Sequence, residues 1–125
     1  MNQHNILVID DDAPLLDAVG ETLRREGYSV TVADGPEMAH SLVGQHSFDL
    51  FVIDYKMPGT NGIELMTQLR RIQPGAEAII ITGYATIENG VEAIRKGARD
   101  YVTKPIEGYE LIYRVQSILE QRCLR

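Results

Sequence analysis

The chain has 125 residues, 44% of them hydrophobic and 24% charged, the mix of one folded domain rather than of a disordered segment. A net charge of −6 disfavours contact with nucleic-acid phosphates and makes a cation the better-matched ligand. The single cysteine, Cys123, excludes an internal disulfide and a thiolate metal cluster, no apolar run reaches the ~20 residues of a membrane span, and residues 1–5 carry no signal-peptide pattern, so a cytoplasmic domain is expected.

In chain order, Asn5-Ile6-Leu7-Val8-Ile9 is apolar without alternation, which predicts a strand covered on both faces. Leu15, Leu16, Val19 and Leu23 then share a helical face that opens near Pro14 and stops at Gly27. Ser29-Val30-Thr31-Val32-Ala33 predicts a second strand, mixed enough to lie at an edge. Met38, Ala39 and Leu42 mark a helix entered through Pro36 and left at Gly44. Leu50-Phe51-Val52-Ile53 repeats the covered pattern, and a helix carrying Leu65, Met66, Leu69 and Ile72 follows, closed by Pro74-Gly75. Ala78-Ile79-Ile80-Ile81 is a third covered strand, and Ile87, Val91 and Ile94 mark a helix closed by Gly97. Asp100-Tyr101-Val102-Thr103 reads as a second edge strand, and Leu111, Ile112, Val115, Ile118 and Leu119 mark the last helix.

Five strands and five helices in strict alternation predict a doubly wound α/β domain: a five-stranded parallel sheet, order 2-1-3-4-5, with helices on both faces. Function in such sheets gathers at the carboxyl ends of the strands, beside the point where strand order reverses. Those ends carry Asp10-Asp11-Asp12, Asp54, Thr82-Gly83 and Lys104-Pro105. Any one of them has a plain alternative. Asp12 suits a helix cap, Lys104 alone is equally a solvated lysine, and Met57-Pro58-Gly59 suits a simple turn.

Together they are harder to dismiss. Strands one and three are neighbours ~4.8 Å apart, so Asp11 and Asp54 bring two carboxylates close. Two such charges ~4 Å apart repel by ~4 kcal/mol at an effective dielectric of about 20. A divalent cation removes the conflict, and an all-oxygen site with room for water suits Mg²⁺. A phosphorylated carboxylate would offer further oxygens for the Lys104 charge and the Thr82 hydroxyl. Asp54, at the end of a central apolar strand, is the best nucleophile.

The strings Ile6-Leu7-Val8-Ile9-Asp10-Asp11-Asp12, Asp54-Tyr55-Lys56-Met57-Pro58-Gly59 with Gly62, Thr82-Gly83, Gly97-Ala98-Arg99-Asp100-Tyr101 and Lys104-Pro105 resemble the receiver domains of two-component response regulators, over nearly the whole chain. The resemblance implies a flavodoxin-like fold and a phosphoacceptor Asp54. It implies a Mg²⁺ site, with Mn²⁺ as a substitute, made by Asp11, Asp54 and the Lys56 carbonyl, with Asp10 acting through water. It further implies phosphoryl contacts from Thr82 and Lys104, a switch pair Thr82 and Tyr101, and a cis Lys104-Pro105 peptide. A sensor histidine kinase is the implied partner, with homodimerisation on phosphorylation.

Thr82-Gly83-Tyr84-Ala85-Thr86, Val91-Glu92-Ala93 and Asp100-Tyr101 resemble the NtrC class of transcriptional activators, which implies ATPase and DNA-binding output domains. Ile106 departs from the Phe common in that class. Residues 1–125 are accordingly expected to be a receiver domain cut from a longer regulator, the alternative being a stand-alone receiver acting through protein contacts or a phosphorelay. Lys56 and Tyr84, two past the aspartate and two past the threonine, are expected to shield the acyl phosphate from water and lengthen its life.

Rival readings fail on particular residues. A dehalogenase-like phosphatase needs a second aspartate two after the nucleophile, where this chain has Lys56, so no turnover enzyme is expected. A flavin-binding relative of the fold needs a Ser/Thr/Gly-rich phosphate loop where this chain has three aspartates. A receiver-like chain without phosphorylation would not keep the full residue set. Tyr101 on its own equally reads as an edge-strand aromatic. His4, His40 and His46 have no metal-ligand spacing, and Arg70-Arg71, Arg95-Lys96 and Arg99 read as solvated helix faces or ends.

Overall fold

The computed structural model describes residues 4–123, with the Cys123 side chain excepted. Residues 1–3 and that thiol, both used in the reading above, lie outside the described residues. The elements run β1 (Asn5–Ile9), α1 (Ala13–Arg25), β2 (Ser29–Ala33), α2 (Pro36–Val43), β3 (Leu50–Asp54), β4 (Lys56–Met57), β5 (Thr60–Asn61), α3 (Gly62–Ile72), β6 (Glu77–Thr82), α4 (Ile87–Arg95), β7 (Asp100–Thr103) and α5 (Gly108–Cys123). The five long strands form one parallel sheet in the order β2-β1-β3-β6-β7, the expected order once the short ribbon β4–β5 is set aside.

The unalternating strands are explained by two cores, one on each side of the sheet. Leu7, Ile9, Phe51, Ile53, Ala78 and Ile80 point to one side and pack with α2, α3 and Ala93 of α4. Their neighbours Ile6, Val8, Leu50, Val52, Ile79 and Ile81 point to the other and meet α1 and α5 through Leu16, Leu23, Leu111 and Val115. β2 and β7, at the edges, are only partly covered. Side-chain caps set the helix starts: the Leu15 amide donates to Asp12 Oδ1 (3.3 Å), that of Glu64 to Asn61 Oδ1 (3.0 Å) and that of Asn89 to Thr86 Oγ1 (3.0 Å). The plain reading of Asp12 as a cap of α1 therefore holds.

Local details depart from expectation while the five-stranded sheet stands. The ribbon β4–β5 had no place in the five-strand count. It forms because Pro58-Gly59 turns the chain between Met57 and Thr60, with Gly59 at φ 77° as the third residue of a type II turn requires. Ile87, Val91 and Ile94 do mark one helix, but their face is solvent-exposed (85%, 50% and 51%) and α4 seats on the sheet through Ala93 instead. Ile72 is likewise half-exposed at the end of α3.

Arg70 and Arg99 are not solvated charges. Arg70 donates from Nε to the Ala76 carbonyl (2.9 Å) and from Nη1 to that of Gly97 (3.2 Å), and Arg99 pairs with the buried Glu77 at 3.2 Å. Arg122 similarly binds Asp49 (2.6 Å) and the Gly75 carbonyl. These bonds tie together the loops at the amino edge of the sheet.

Candidate functional site

The register places the polar strand ends side by side. Ile9 pairs with Ile53 and Asp54 with Ile81, so Asp10, Asp54 and Thr82 stand at the carboxyl ends of the three central strands. Lys104 follows β7, and its backbone N–H donates to the Thr82 carbonyl (2.7 Å). Asp54 is 6% exposed, and Asp10 and Thr82 are buried, whereas Asp11 is exposed. Oxygens of Asp10, Asp11 and Asp54 lie within 4.8 Å of one another. The Lys104 ammonium sits 2.8 Å from Asp54 Oδ1 and 3.5 Å from Asp10 Oδ2.

Gly62 fixes the ribbon against this site. Its N–H donates to the Tyr55 carbonyl (2.7 Å), and a Cβ placed on it would fall 2.5 Å from the Asp54 carbonyl oxygen and 2.9 Å from Tyr55 Cα. Only glycine allows the start of α3 to approach the end of β3 this closely. The sequence reading quoted Gly62 within a motif and missed this contact. The Tyr55 N–H in turn donates to the Ile81 carbonyl (2.7 Å), so the residue after Asp54 remains bonded to β6.

The other named residues take distinct places. The Thr82 hydroxyl accepts from the Tyr84 N–H (3.1 Å), while the Tyr84 ring is exposed. Lys56 is exposed on the ribbon. Tyr101 lies on β7 with its ring against α4 and its hydroxyl buried without a partner among the described residues. The Lys104–Pro105 peptide is cis. A cavity of about 440 Å³ between α1 and α5 opens on Asp10, Asp54 and Lys104. His40 bonds Gln68 (2.8 Å), away from the acidic cluster.

Electrostatics shape the cluster. Burial, aided by repulsion from Asp54, pushes the Asp10 carboxyl above the usual aspartate range, against the Asp12 N–H bond and the Lys104 charge. Burial opposes the charge on Lys104, but the hydrogen bond to Asp54 and the fields of both carboxylates outweigh it and hold its pKa above the ordinary value. A carboxyl whose pKa rises on folding holds its proton more tightly in the folded state. Its contribution is complete below the ordinary value of 3.8 and is lost as pH rises through the raised one. At neutral pH an ionised Asp10 therefore costs stability. Asp10→Asn, which keeps an acceptor for the Asp12 N–H, is expected to raise the melting temperature in EDTA by roughly a few degrees. A thermal melt at pH 7 with no rise would show that Asp10 is not under electrostatic stress.

The same stress is what a hard cation would relieve, and three carboxylates within reach of one point are a donor set of the right chemistry for one.

Comparisons with known proteins agree with this geometry. The pattern that defines the response regulator receiver domain matches residues 6–116. The chain is 34% identical over 123 residues to the alginate biosynthesis transcriptional regulatory protein AlgB of Pseudomonas putida, covering 98% of this chain but 28% of AlgB. It is 40% identical over 124 residues to an uncharacterised 14.6 kDa protein of Leptolyngbya boryana, covering 98% of this chain and 92% of that one. Among solved structures, a CheY-like response regulator receiver domain protein from Methanospirillum hungatei superposes with a TM-score of 0.91 at 31% identity, covering 97% of both chains. A receiver pattern over most of the chain, on a fold shared nearly end to end with a solved receiver, means that this chain belongs to the family of response regulator receiver domains.

Proposed function

We propose that the domain accepts a phosphoryl group on Asp54 from a phosphohistidine of a sensor histidine kinase, and that the acyl phosphate changes the association of its α4–α5 face. The observation that carries this reading is the Lys104 ammonium 2.8 Å from the buried Asp54 carboxylate, among three clustered acids. An Asp54 oxygen attacks phosphorus, the N–P bond of the donor breaks, and the acyl phosphate forms. Lys104 then moves its charge from the carboxylate to a phosphoryl oxygen, and the Thr82 hydroxyl exchanges its bond with the Tyr84 N–H for another. Both groups act by position and charge, as phosphoryl transfer requires.

Asp11, Asp54 and the Lys56 carbonyl would hold Mg²⁺ or Mn²⁺, with Asp10 acting through water. When bound, the ion neutralises the charge that the carboxylates and the incoming group would otherwise pile up. Withdrawal of the Thr82 hydroxyl is coupled to Tyr101, and the exposed Ile87, Val91 and Ile94 supply an apolar face suited to a homodimer.

The test is intact mass after treatment with acetyl phosphate. One added phosphoryl group is expected with Mg²⁺ and none with EDTA. No gain, or a gain indifferent to EDTA, removes the proposal. A chase in excess Mg²⁺ then gives the lifetime. Lys56→Asn combined with Tyr84→Glu is expected to shorten it, because both parent side chains stand exposed at the solvent edge and the replacements offer groups that can align water. An unchanged decay rate means that shielding by these two residues does not set the lifetime.

We further propose that this receiver serves a longer regulator of transcription with an ATPase and DNA-binding output of the NtrC class, in line with its likeness to about a quarter of a regulator such as AlgB. The stand-alone reading has one observation in its favour, the near end-to-end match to the 14.6 kDa Leptolyngbya protein.

A further inference from the structure

Gly90 stands inside α4, where glycine costs about 1 kcal/mol relative to alanine. Its backbone does not explain it. Its N–H donates to the Thr86 carbonyl (3.0 Å) as in any helical turn, and its φ is not among the positive values, which belong to Gly27, Gly59 and Gly97. The explanation lies across the gap to β7. A Cβ on Gly90 would sit 3.1 Å from Tyr101 Cδ2 and 3.2 Å from Cε2, closer than ordinary contact. The aromatic ring occupies the space that a side chain would take.

At the far end of that ring the Tyr101 hydroxyl is buried and has no partner among the described residues. A buried hydroxyl without a hydrogen bond disfavours its own position. No hydrogen bond of the hydroxyl, among the described residues, holds the ring inward, so its place there depends on packing and on the room at position 90.

We infer that Gly90 is the positioning residue for Tyr101: its absent side chain is the berth in which the ring lies inward against α4. The inference rests on the proposed coupling of Tyr101 to the phosphoryl site and deepens it, because it makes residue 90 the setting of the switch in this chain. A larger residue there denies the ring its inward place, whether or not a phosphoryl group is present.

The experiment is nitration of the unphosphorylated protein by tetranitromethane, mapped by peptide mass. The chain carries its own references. Tyr84, Tyr109 and Tyr113 are exposed, and Tyr28 is buried in the opposite core. In the parent, Tyr101 is expected to react about tenfold more slowly than the three exposed rings. In Gly90→Val it reacts as fast as they do, while Tyr28 stays protected, which separates a local displacement from loose folding. Gly90→Ala, whose Cβ needs the ring to give by only a few tenths of an ångström, falls between. Glu88→Val, an exposed position of the same helix, leaves Tyr101 protected and controls for the poorer helix propensity of valine.

Three results overturn the inference: Tyr101 as protected in Gly90→Val as in the parent, Tyr101 equally exposed in Glu88→Val, or Tyr101 reacting in the parent like Tyr113. Acetyl phosphate labelling of the same variants is read separately. Nitration that follows residue 90 in a protein that takes no label supports the berth and removes the phosphorylation reading, whereas labelling without a Gly90 effect does the reverse.

Discussion

Asp54→Asn is expected to gain no mass from acetyl phosphate and Mg²⁺ under conditions where the parent is fully labelled. The side chain keeps its shape and its place at the end of β3, and it still offers an oxygen to Lys104. It loses the charge that makes the carboxylate a nucleophile. A fall in rate of at least about 1000-fold corresponds to ~4 kcal/mol of barrier, which an uncharged amide oxygen cannot recover. Asp10 and Asp11 remain nearby, so the variant also asks whether another acid of the cluster can substitute. Asp11 is exposed and does not end a strand, and Asp10 is tied by the Asp12 N–H (3.0 Å) and Lys104. Neither is expected to take the label. Melting in EDTA controls for folding: a cooperative transition like the parent's shows that the loss of label is not a loss of fold. Full labelling of Asp54→Asn would falsify the assignment.

Gly62→Ala is expected to be the most damaging single methyl group in the molecule. The atoms that its Cβ would meet, at 2.5 Å and 2.9 Å, are the Asp54 carbonyl oxygen and Tyr55 Cα. Both are backbone, so no flexible side-chain end can swing away. Either the start of α3 lifts or the end of β3 shifts. Overpacking of this kind costs about 2–3 kcal/mol, which lowers the melting temperature by about 10 °C in a domain of this size. The carboxylate rides on the displaced strand, so labelling by acetyl phosphate falls as well. Gly83→Ala is the control for stability, because a Cβ there meets nothing within 4 Å. Equal melting temperatures for the two variants would mean that the close approach at Gly62 is not enforced.

Much of this was legible in the residues. The covered and mixed strands suggest the order of the sheet, and the polar strand ends bring Asp10, Asp54, Thr82 and Lys104 to one edge, because in a parallel sheet with crossover helices the carboxyl ends of all strands lie on the same side. The face of α4 was not legible. Ile87, Val91 and Ile94 have the spacing of a buried stripe, and the pattern cannot distinguish an apolar face turned to a core from one turned to solvent. The roles of Arg70, Arg99 and Arg122 were hidden for another reason. Their partners are backbone carbonyls and acids far off in sequence, such as Asp49 for Arg122. The contacts at Gly62 and Gly90 depend on a few tenths of an ångström between elements, which no spacing rule carries.

The arginine ties have a consequence for where the molecule can yield. At the amino edge of the sheet, loops are clamped by bonds that span long stretches of chain: Gln73 to the Val43 carbonyl, Arg70 to that of Gly97, and Arg122 to Asp49 and Gly75. At the carboxyl edge the side-chain bonds to backbone are local, from the Asp12 N–H to Asp10 and from the Tyr84 N–H to Thr82, and the long-range side-chain ties there, Lys104 to Asp54 and to Asp10, are ion pairs that a new charge at Asp54 would itself rearrange. Regions held by bonds that span long stretches of chain open in larger cooperative units than loops held by local ones. The domain is thus founded at one end and hinged at the other, and a charge arriving at Asp54 can rearrange the loops around it while the far edge keeps its grip on the strands.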